Sequence, residues 1–99
     1  MTNKYYECHI TFNDNPEKVK EVVEAAGWSF SCIAGDIVLG EGVKCYATKH
    51  FNSEKYSDTN VIIIVCGFAV ECRGHRLNVL REKVELVIFD TKSSKIRPD

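Results

Sequence analysis

The spacing of hydrophobic residues switches between a period of about two and one of about 3.6 along the chain, and the order of those switches limits the fold most. Residues 5–12 put Tyr6, Cys8, Ile10 and Phe12 on one side and Glu7, His9 and Thr11 on the other. That alternation belongs to a strand with one buried face. Asn15 and Pro16 then supply a helix cap and a first-turn proline, and Val19, Val22, Val23 and Ala26 form a helical stripe ended by Gly27. Alternation resumes over 28–33 and again over 43–51, with the glycine-bearing stretch 34–42 expected as a loop. Ser57 and Asp58 are candidate caps for a following element.

Residues 61–72 carry two signals. Val61, Ile62, Ile63, Ile64 and Val65 favour a strand by propensity, whereas Val61, Val65, Phe68 and Cys72 recur at helical spacing. We expect a buried helix closed near Gly74, because a crossover between strands is needed there. Residues 79–90 alternate once more, with Val84, Leu86 and Ile88 inward and Arg81, Lys83 and Glu85 outward. The order strand, helix, strand, strand, helix, strand predicts a ferredoxin-like α+β domain over 1–92, followed by a polar tail over 93–99. Its antiparallel four-stranded sheet would run in the order 4-1-3-2, with both helices on one face.

The chain has 99 residues, room for one core and no second domain. Its 13 basic and 14 acidic residues give a formal charge of -1, which excludes bulk attraction to DNA or anionic membranes. The apolar run 61–70 is too short to span a bilayer. Five cysteines, an odd number without a C-x-x-C pair, argue against zinc knuckles and thioredoxin-type sites. With no basic-hydrophobic leader at the start, they are expected as reduced hydrophobes in a cytoplasmic protein.

The uncovered sheet face is where function is expected. Glu7, His9 and Thr11 from the first strand meet Lys44, Tyr46, Thr48 and His50 from the third and Arg81, Lys83 and Glu85 from the fourth. Ser29 and Ser31 lie at the far edge, and His9 should stand opposite Thr48 or His50. Arginine, lysine and threonine in one patch suit a phosphate. Two imidazoles suit general acid and base catalysis near neutral pH, with His9 and His50 as the pair. The expected function is therefore binding of a nucleotide or cyclic oligonucleotide, leaning towards phosphodiester hydrolysis. The alternative is a non-catalytic module that uses the same face to dock a protein or sequester a nucleotide.

His9-Ile10-Thr11 resembles the His-x-Thr signature of the two-histidine phosphoesterases. That resemblance implies an acid/base role for His9 and a phosphate-binding role for Thr11. It covers one motif, since the third strand reads Thr48-Lys49-His50 in the reverse order. Over more of the chain, Glu7-Cys8-His9-Ile10-Thr11, Gly27-Trp28, Gly35-Asp36, Leu39-Gly40, Tyr46-Ala47-Thr48-Lys49-His50 and Arg81-Glu82-Lys83-Val84-Glu85 resemble a group of small phage and bacterial proteins. This second resemblance implies the element order and no mechanism.

Other roles have less in their favour. Tyr5 and Tyr46 can stack on bases, but the aromatic pairs and basic balance of RNA-binding sheets are missing. Imidazoles at His9 and His50 with Glu7 or Glu85 are possible metal donors, yet no chelating helical spacing is present, so neither metal nor cofactor is expected. His75 falls in a turn beside Arg73 and Arg76 and is expected to be solvated. A single sheet with one uncovered face also leads us to expect a homodimer.

Overall fold

A computed structural model describes residues 4–38 and 42–89, and the side chains of those outside 33–43. The elements are β1 (Tyr5–Asp14), α1 (Pro16–Ala25), β2 (Ser29–Val38), β3 (Gly42–Asn52), α2 (Asp58–Gly74) and β4 (Val79–Val87). Every strand pairing is antiparallel, and the sheet order is β2-β3-β1-β4. This is the ferredoxin-like α+β arrangement expected from the order of periodicities. The tail 93–99 and residues 39–41 of the expected loop lie outside the described residues.

The helices begin where their caps stand. Asn15 Oδ1 accepts the backbone N–H groups of Glu17 and Lys18 at 2.9 and 3.2 Å, and Pro16 opens α1. Gly27, at φ 83°, takes the left-handed conformation that turns the chain into β2. Ser57 Oγ accepts Asn60 N–H at 3.1 Å to start α2. Residues 61–72 are helical despite their β-branched run, because Val61, Val65, Phe68, Ala69 and Cys72 form one buried stripe. Gly74 is the last residue of α2, and the left-handed turn beyond it falls on Arg76 at φ 64°.

The core lies between the helices and one sheet face. Cys8, Ile10 and Phe12 of β1 and Cys45, Ala47 and Phe51 of β3 pack with Val19 and Val23 of α1 and the buried stripe of α2. Each fully buried large apolar side chain contributes about 1.5–3 kcal/mol relative to exposure. Both helices therefore occupy the face of the even positions of β1. Glu7, His9 and Thr11 are left on the other.

Two strand expectations need correction. Residues 34–38 and 42 belong to strands rather than to a loop, with the β2–β3 register shifting between Cys32 and Ile37. Glycine and aspartate there mark an irregularity within the ladder, not its end. Leu86 of β4 is exposed rather than inward, as is Ile88 just past its end at Val87, and Phe89 is 80% exposed. β4 is an edge strand, with a neighbour on one side only. A second irregularity near its start pairs Val79 with Phe12 and Arg81 with Thr11, which places Val79 against the core and keeps Arg81 on the open face. Among the described residues, no helix is long and apolar enough to cross a membrane.

Candidate functional site

Antiparallel register turns the open face into a grid. His50, Glu7 and Glu85 form one cross-strand row. Ser29, Thr48, His9 and Lys83 form the next, followed by Ser31, Tyr46, Thr11 and Arg81. Lys44 lies one step further on, opposite Asn13. The face is thus polarised, acidic where Glu7 and Glu85 stand side by side and basic towards Lys83, Arg81 and Lys44.

The middle rows enclose a cleft of about 400 Å³ lined by His9, Thr11, Ser31, Tyr46, Thr48, Arg81 and Lys83. The Arg81 side chain forms no hydrogen bond or ion pair among the described residues. Lys83 Nζ lies 3.1 Å from Glu85 Oε1, an exposed ion pair that contributes little to stability. His9 Nδ1 stands 3.1 Å from Thr48 Oγ1, the pairing expected from register. Ser31, which parity placed on this face but which was not expected to bind, joins the cleft because β2 pairs it with Tyr46.

The remaining expected site residues stand outside the cleft. His50 Nε2 is 3.1 Å from Glu7 Oε2, and its ring lies 4.8 Å from that of Tyr5. His9 Nε2 is 3.5 Å from Glu7 Oε1, so one carboxylate stands between the two imidazoles. Partial burial of Glu7 works to raise its pKa. Hydrogen bonds from His50 and His9, with the charges of the two rings, outweigh burial and hold the carboxyl below its usual value. Glu85 and Lys44 share the face without lining the cleft.

The cysteines do not join this site. Cys8, Cys45 and Cys72 are buried with raised pKa values, which makes them poor nucleophiles, and Cys32 and Cys66 are exposed. Comparison with protein families, curated proteins and solved structures finds no match for the chain.

Proposed function

We propose that the open face binds a phosphorylated small molecule, a nucleotide or cyclic oligonucleotide. The observation that carries this reading is Arg81, a guanidinium without a protein partner among the described residues, in a cleft it shares with Lys83, Thr11 and Thr48. A planar guanidinium can engage two phosphate oxygens at once, and the hydroxyls can donate to a third. Tyr46 lines the same cleft and brings a ring for a base or sugar. The His-x-Thr resemblance supports the reading, since both of its side chains, His9 and Thr11, line the cleft.

Binding has more support than hydrolysis by His9 and His50. A phosphate seated on Arg81 meets His9 alone, because His50 is held by Glu7 outside the cleft. Thermal unfolding against a panel of nucleotides and cyclic dinucleotides tests the proposal. A ligand bound by the native state alone raises the melting temperature, and by more as its concentration rises above its Kd. A shift with phosphorylated ligands that their nucleosides do not produce supports the reading; no shift with any of them removes it.

A second reading, protein association, is favoured by a different surface. Ile63 and Val70 of α2 are 63% and 65% exposed, and Ile62 is exposed beside them. Open space surrounds Gly67 at the middle of this stripe, so two copies of α2 can cross closely there. Such a contact is self-complementary, as a two-fold dimer requires. We place the expected homodimer contact on α2 instead of the polar sheet. Free thiols at all five cysteines fit a reducing compartment and favour the cytoplasm.

A further inference from the structure

The acidic end of the open face has a composition that anion binding does not use. Glu7 and Glu85 occupy directly paired positions of β1 and β4, and His9 follows Glu7 on the same face of β1. One ligand atom from each of these three side chains lies within 4.8 Å of the others. Like charges directly opposite in a ladder repel, and the Lys83 ammonium, 3.1 Å from Glu85 Oε1, offsets part of this.

Imidazole geometry adds an independent argument. His9 Nδ1 lies 3.1 Å from Thr48 Oγ1 and Nε2 lies 3.5 Å from Glu7 Oε1, so the hydroxyl holds the ring at one nitrogen and turns the other towards the carboxylate. In the tautomer whose Nδ1–H donates to Thr48 Oγ1, a cation can stand between Nε2 and Glu7 in place of the ring proton. A ring nitrogen tied to a neighbouring oxygen while the other faces carboxylates is how metal-binding histidines are oriented. His50 holds Glu7 through Oε2, which leaves Oε1 turned to the cluster.

We propose that Glu7, His9 and Glu85 bind a divalent transition-metal cation at the acidic end of the open face. One imidazole and two carboxylates suit zinc, manganese or cobalt(II). Metal–ligand bonds of about 2.0–2.2 Å require the three side chains to draw together by small rotations, which half-exposed residues on a strand surface permit. Three protein ligands leave coordination positions open. His9 borders the cleft, so those positions lie beside the place proposed for the phosphate. The inference reverses the sequence expectation of no metal, which looked for helical chelating spacing. Here the signal is Glu7-Cys8-His9 on one strand, completed by a register partner 78 residues away.

Cobalt(II) titration of the full chain, followed by visible absorption and calorimetry, tests the proposal. We expect one ion per chain with weak d–d bands and no thiolate charge-transfer band. Glu7→Gln, His9→Gln and Glu85→Gln should each weaken binding by about 10-fold or more. His75→Ala, at the exposed C-cap of α2, should leave it unchanged. Circular dichroism checks that each variant is folded. Arg81→Ala should bind cobalt as the parent does, so loss of phosphate binding and loss of metal binding are separable. Absence of binding, a thiolate band, or affinity indifferent to all three substitutions overturns the proposal.

Discussion

His9 and Thr48 occupy directly paired positions of β1 and β3, with imidazole Nδ1 3.1 Å from the threonine hydroxyl. This contact holds the imidazole that lines the cleft, and the same ring borders both the place proposed for the phosphate and the one proposed for the metal. Thr48→Val keeps the side-chain shape and removes the hydroxyl. The expected loss of stability is about 0.5–1.5 kcal/mol, measured by urea unfolding. Binding of phosphate ligands should weaken at the same time; unchanged affinity would show that His9 needs no such anchor.

Arg81 makes the sharper binding prediction. A hydrogen bond to a charged partner contributes about 1.5–3 kcal/mol, so Arg81→Ala should weaken a bound phosphate by roughly 10–150-fold. Arg81→Lys should recover part of this loss, since charge returns without the planar fork. Calorimetric titration reads both. Melting temperature should stay close to that of the parent, because the side chain is exposed.

Thiol chemistry divides the five cysteines. Burial pushes Cys8 and Cys72 up to about 11 and Cys45 to about 12, from an ordinary value of 9.0, with Glu7, Glu71 and the neighbouring Cys32 adding respectively to the effect. At pH 8 in native conditions, Cys32 and Cys66 should react with a maleimide or disulfide reagent, and the other three only after unfolding. The folded state holds the buried protons more tightly than the unfolded chain. Their contribution to stability is complete below about pH 9 and is lost as pH rises towards 11–12. Urea midpoints measured from pH 8 to 11 should fall over that range. Fast native labelling of all five would contradict the packing described.

The α2 stripe predicts the state of association. Light scattering at micromolar concentration should give twice the mass of one chain, and Ile63→Asp or Val70→Asp should halve it while leaving the helical signal intact. A parent mass of one chain removes the dimer.

Much of this architecture was legible in the chain because side-chain alternation and caps are local. Tyr6, Cys8, Ile10 and Phe12 identify the core face of β1, and that assignment fixes which residues meet on the other face. The helix over 61–72 could be read only by weighing buried spacing against β-branched propensity. What remained hidden depends on long-range register. Nothing near Glu7 announces that Glu85 will be its neighbour and that His50 will stand on its other side. Leu86 and Ile88 are exposed, which alternation along residues 79–90 does not encode.

Amide chemical-shift mapping by two-dimensional NMR tests the central claim, that the open face is the binding surface. A nucleotide or cyclic dinucleotide chosen from the thermal panel is titrated into labelled protein. The account predicts saturable shifts concentrated at His9, Thr11, Ser31, Tyr46, Thr48, Arg81 and Lys83, the residues that line the cleft, and their collapse in Arg81→Ala. Shifts confined to α2, or none at all with any phosphorylated ligand, would contradict it.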